Sequence, residues 1–80
     1  MTREEYINSM RNRIRKWVID TVSKKYNTTV DLLTDEYNIE NDFVDFIFDG
    51  MVEFKFDIEG YDSTIPKTVG GLIILLSLHI

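Results

Sequence analysis

The 80-residue sequence predicts an all-α domain, a small three- or four-helix bundle occupying residues 1–80 as a single unit. Three observations carry that expectation. Apolar side chains between residues 3 and 25 repeat at helical steps. A second stripe, Phe43, Ile47, Met51, Phe54 and Ile58, falls at steps of four, four, three and four. The closing segment, 68–80, is apolar nearly all round, as a buried terminal helix or a central strand is. Periodicity alone leaves the second observation open. Residues 52–58 also alternate strictly, and Asp49-Gly50 would then be a two-residue hairpin turn, which gives an α+β interaction domain instead.

The first element is the most secure. Thr2-Arg3-Glu4-Glu5 has capping-box spacing, with Thr2 as the cap and Glu5 reaching back. Tyr6, Met10, Ile14, Trp17 or Val18, Val22 and Tyr26 follow on one face, with Trp17 read as core. Lys24 and Lys25 fall in the last turn, at the negative end of the helix dipole. The helix is expected from about residue 3 to about residue 25. Residues 26–41 read as a loop with a short turn, pinned by Val30, Leu32, Leu33 and Ile39.

The stretch 42–59 holds all five phenylalanines together with Asp42, Asp45, Asp49, Glu53, Asp57 and Glu59. It is too apolar to stay in water and too charged to be buried whole. As a helix it carries Asp45, Asp49 and Glu53 at i, i+4 and i+8, an acidic ridge, while the phenylalanines fill the space between helices. Residues 60–66 form a connector. In the closing segment Gly70 and Gly71 each cost a helix about 1 kcal/mol relative to alanine.

Composition narrows the function. There is no cysteine, hence no disulfide and no thiolate metal site. The net charge of −5 is unevenly spread: residues 1–25 carry seven Lys/Arg and three Asp/Glu, residues 26–80 two and eleven. An acidic body argues against nucleic acid and for a basic protein surface as partner, and the basic start reads as a solvated helix face. The run Leu72–Leu76 is far short of the ~20 residues of a membrane helix, and no signal peptide precedes the first helix. The expectation is a cytoplasmic protein without membrane insertion, in which the Asn27-Thr28-Thr29 sequon has no consequence.

The order of elements resembles that of an acyl carrier protein: long first helix, long loop, acidic second helix, connector, last helix. Lys55-Phe56-Asp57-Ile58-Glu59 resembles the acidic end of that family's second helix. Lys67-Thr68-Val69-Gly70 resembles the opening of its last helix, and Leu33-Thr34, Ile39 and Asn41-Asp42-Phe43 its loop. The resemblance spans about residues 5–78 and favours helix over hairpin for the phenylalanine-rich stretch. It implies a role near fatty-acid biosynthesis, polyketide or related acyl metabolism.

The family's decisive motif is absent. Carriers hold Asp-Ser-Leu at the start of the second helix, and the serine takes a 4′-phosphopantetheine arm. Here Asp42-Phe43-Val44-Asp45 stands in that place, and three ways of counting put the serine position at Asp42, Phe43 or Ile47. No serine lies between Ser23 and Ser63. A phenyl ring or an aliphatic chain cannot accept a phosphodiester, and a carboxylate repels the incoming pyrophosphate. The chain is similar to a group of bacterial carrier-like proteins whose motif is degenerate.

The remaining polar residues have simple readings. Ser63, beside Asp62, is the fallback attachment site; otherwise Asp62 or Ser63 organises a turn ahead of Pro66. His79, two residues from Ser77, is not placed to form a catalytic pair and reads as a frayed terminal residue. Asp31, Asp35, Glu36, Glu40 and Asp42 lack the spacing of a calcium loop and read as solvated charge. The expected protein is not an enzyme and has no catalytic residues and no metal. It is an acidic docking module in which Asp45, Asp49 and Glu53 meet a basic surface, such as that of an acyl-metabolism enzyme. A cofactor, phosphopantetheine, enters only if Ser63 is modified.

Overall fold

Nine residues near the C-terminus form the element on which the other helices pack. The computed structural model describes residues 1–80 and contains α1 (Arg3–Tyr26), α2 (Phe43–Phe54) and α3 (Val69–Ser77). Short 3-10 turns occupy Val30–Leu32 and Glu40–Asp42. There is no strand, only an isolated antiparallel bridge between Asn38 and Thr68. The fold is therefore all-α, and the α+β alternative is overturned. Asp49-Gly50 lies inside α2 rather than at a hairpin turn, and Gly50 takes ordinary helical backbone angles.

Helix α3 packs on both α1 and α2, which explains its sequence. A helix covered on two sides needs apolar residues around most of its circumference. Val69, Leu72, Ile73, Leu75 and Leu76 are all buried, and among the large side chains Ile74 and Leu78 face outward. The two glycines at its start have a reason stronger than their helix propensity. A Cβ on Gly71 would overlap the backbone carbonyl of Pro66, and one on Gly70 would sit 2.9 Å from the Asp35 backbone oxygen. Chain segments pass too close for a side chain.

Those same segments satisfy the first turn of α3. The Val69 amide donates to the Tyr37 carbonyl at 3.0 Å, Gly70 to the Asp35 carbonyl at 2.9 Å, and Gly71 to the Thr68 hydroxyl at 3.1 Å. Ile39 donates to the Lys67 carbonyl at 3.0 Å. Thr68 is thus the N-cap of α3, and the loop adds the Asp35 and Tyr37 carbonyls as acceptors for amides that the helix itself leaves unpaired there.

Helix α1 begins with the Thr2 half of the expected capping box: the Glu5 amide donates to the Thr2 hydroxyl at 3.2 Å, but the Glu5 side chain makes no return bond. It ends at Tyr26, with Asn27 in left-handed backbone conformation at φ 50°. Ile14, Val18 and Val22 are its buried face, and Trp17 is half-buried. α1 and α2 meet through aromatic rings. Trp17 packs edge-on to Phe54 at 5.5 Å, and Tyr26 edge-on to Phe46 at 6.1 Å.

Several expectations are corrected. The second helix stops at Phe54 instead of running towards Ile58, because Lys55 adopts φ 59° and Phe56 donates back to the Met51 carbonyl at 3.1 Å. Ile58 is nevertheless buried, from the extended chain beyond the helix. Val30 and Leu32 are not pins: the three-residue 3-10 turn leaves them 54% and 62% exposed, and only Leu33 and Ile39 point inward. His79 is not frayed. It is half-buried, its Nδ1 lies 3.0 Å from the Leu75 carbonyl, and its ring packs beside Phe56 at 6.1 Å.

Candidate functional site

Helix α2 buries one side on α3 and presents the other to solvent. Phe43, Phe46, Ile47 and Gly50 form the inner face. Gly50 allows close approach: a Cβ there would meet Leu76 Cδ2 at 2.9 Å and Trp17 Cζ3 at 3.5 Å. On the outer face Asp45, Asp49 and Glu53 are exposed, as the ridge expected of them requires. None is held in an ion pair; the protein's two ion pairs are Arg15–Asp35 and Asp20–Lys24.

Beside the acidic row runs a second, apolar row. Val44, Phe48 and Val52 are 50%, 59% and 80% exposed. They too step by four, so they form a stripe one position behind the carboxylates. Full burial of such a side chain is worth roughly 1.5–3 kcal/mol, so three in line make an apolar surface without a partner inside the fold. The spacing signal was present, but the stripe through Phe43, Ile47, Met51 and Phe54 already accounted for the core. All five phenylalanines were expected to fill the interior, and Phe48 does not.

At the N-terminal end of α2 the three positions proposed for the missing serine can be read directly. Phe43 and Ile47 are buried in the core, 1% and 5% exposed. Asp42 precedes the helix without capping it. Its Oδ2 instead accepts a 2.6 Å hydrogen bond from the Tyr26 hydroxyl. Burial pushes the Tyr26 phenol well above its ordinary range, and the hydrogen bond to the Asp42 carboxylate adds to the effect. Tyr26, Tyr37, Ile39 and Asp42 line a shallow polar groove of about 450 Å³ there. None of the three positions offers an exposed hydroxyl.

Ser63 is exposed, in a turn ordered by Asp62. Asp62 Oδ1 accepts from the Thr64 amide at 2.9 Å and from the Thr64 hydroxyl at 2.8 Å, and these bonds hold its carboxyl below the usual range. Ser63 stands in the connector, well before α3 begins at Val69, in a groove that also contains Glu36 and Glu40. The loop carboxylates do not converge. Asp35 pairs with Arg15 at 3.2 Å, Asp42 with Tyr26, and no three His, Cys, Asp or Glu side chains gather as metal ligands. His79 bonds to backbone rather than to Ser77. No helix is long and apolar enough to cross a membrane.

Comparison of the chain with protein-family models, with curated proteins and with solved structures finds no match.

Proposed function

We propose that this protein is a non-enzymatic docking module of the cytoplasm, whose α2 outer face binds a basic surface on a partner protein. The observation that carries the reading is the pairing of two exposed rows on one helix. Asp45, Asp49 and Glu53 supply charge for steering and orientation, and Val44, Phe48 and Val52 supply area to desolvate. Unpaired carboxylates beside uncovered hydrocarbon suit a partner with cations around an apolar centre.

The acyl-carrier resemblance supports the same reading. A long first helix, a loop, an acidic second helix, a connector and an apolar last helix follow one another in this order. That kinship would put the partner among enzymes of acyl metabolism. The protein acts without a phosphopantetheine arm, since Asp42, Phe43 and Ile47 present no hydroxyl at the start of α2. A carrier stripped of its arm can still occupy a carrier-binding surface and so regulate the enzyme that owns it.

Two experiments test this. Partner capture from cell extract is compared for wild type and for Asp45→Lys/Asp49→Lys/Glu53→Lys. Loss of the captured proteins on reversal is expected, and full retention contradicts the proposal. Incubation with coenzyme A and a phosphopantetheinyl transferase, followed by intact mass, is expected to leave the mass unchanged. Gain of one arm mass, abolished by Ser63→Ala, would establish a true carrier instead.

A further inference from the structure

A second exposed surface has the opposite charge, with its charged pair on α1 and its apolar pair at the end of α3. Between α1 and α3 lies a groove of about 350 Å³ whose walls include Arg11, Arg15, Ile74 and Leu78, with Ile73 at its floor. Ile74 and Leu78 are 53% and 68% exposed, one helical step of four apart, and Arg11 and Arg15 are likewise four apart. Arg15 Nη1 touches Asp35 Oδ1 at 3.2 Å, but both side chains are more than half exposed and the guanidinium keeps further donors free. Arg11 is in no ion pair.

We propose that this groove receives the outer face of α2 from a second copy of the chain. An i, i+4 step on a helix is about 6 Å, so all four rows share one repeat. Val44, Phe48 and Val52 would lie on Ile74 and Leu78 while the carboxylates of Asp45, Asp49 and Glu53 meet Arg11 and Arg15. Two α2 helices packed on each other would set three carboxylates against three, and like charges facing one another oppose that arrangement. The contact is therefore between unlike surfaces. It rests on the reading of α2 as a docking helix, and an α2 seated in a neighbour's groove is closed to any other partner.

The test needs no partner. In a dilution series followed by amide NMR, resonances of α2's outer face and of residues around Arg11, Arg15, Ile74 and Leu78 are expected to shift together, with a common dissociation constant. Arg11→Glu and Asp49→Lys, each checked for helical circular dichroism, are each expected to lower the association at least tenfold. Mixing the two variants is expected to restore it, because each reversed surface then faces its opposite. A wild-type chain that remains monomeric at millimolar concentration overturns the inference, as do shifts confined to α2, which mean two-fold pairing. So does a mixture of folded variants that associates no better than either alone. Such a failure leaves the docking reading intact, which falls only if partner capture survives reversal of the ridge.

Discussion

Phe46 and Phe48 are the same side chain two residues apart on one helix, yet Phe46 is 2% exposed and Phe48 is 59% exposed. The inner and outer faces of α2 both carry large hydrocarbon groups, and they differ in what lies opposite. α3 and the aromatic rings of α1 cover one side, and nothing in the chain covers the other. The inner face is spent on stability. The outer face, flanked by carboxylates, is left uncovered.

That contrast can be broken by substitution. Phe46→Ala removes a buried ring that packs edge-on to Tyr26 and is expected to destabilise the protein by about 3–5 kcal/mol, read as a shift in urea midpoint. Phe48→Ala, by contrast, should stay within about 0.5 kcal/mol of wild type in the same assay. Equal losses at the two positions would mean that the outer face is buried in solution.

Gly50→Ala sharpens the comparison on the inner face. The added methyl brings about 0.8–1 kcal/mol of helix propensity but presses on the terminal methyls of Leu76, which is fully buried, so any shift of that side chain is made against the core around it. Overpacking of this kind costs about 1–3 kcal/mol, so a net loss of about 1 kcal/mol is expected. A gain in stability would mean that α2 and α3 pack less closely than 2.9 Å from that Cβ to Leu76 Cδ2 implies.

An effect of similar size is expected at the start of α2. Tyr26→Phe removes the 2.6 Å hydrogen bond to Asp42, a loss of about 1 kcal/mol at neutral pH for a half-buried pair. The pH dependence has a definite sign. The phenol's folded-state pKa is raised, so its contribution is complete below the ordinary value of about 10 and is lost as pH rises beyond it. Wild type should therefore lose more stability than Tyr26→Phe between about pH 8 and about pH 11. Parallel pH profiles for the two proteins would dispose of this bond as a stabilising contact.

The sequence made some of this legible. The Thr2 cap and the repeat through Ile14, Val18 and Val22 placed α1 to within a residue at each end, because those signals are local. The acidic ridge follows from spacing only once the stretch is a helix, a choice that periodicity leaves open and the carrier resemblance favours. The end of α2 did not, since Lys55 is not a residue that announces a left-handed turn, and the stripe continues to Ile58 through chain that is no longer helical. Nor could spacing distinguish Phe46 from Phe48. A helix with apolar residues on two faces has no unique inner side until its neighbours are known. The Tyr26–Asp42 bond spans sixteen residues, and the bonds from the start of α3 to the Asp35 and Tyr37 carbonyls join segments still more remote, so neither leaves a short-range trace.

The most direct measurement pairs stability with binding on the outer face. Asp45→Lys/Asp49→Lys/Glu53→Lys is compared with wild type for urea midpoint and for capture of partner proteins at the same salt concentration. The predicted result is an unchanged midpoint with the captured proteins gone. An unchanged midpoint with every captured protein still present would show that the exposed side of α2 is not where this protein meets its partners.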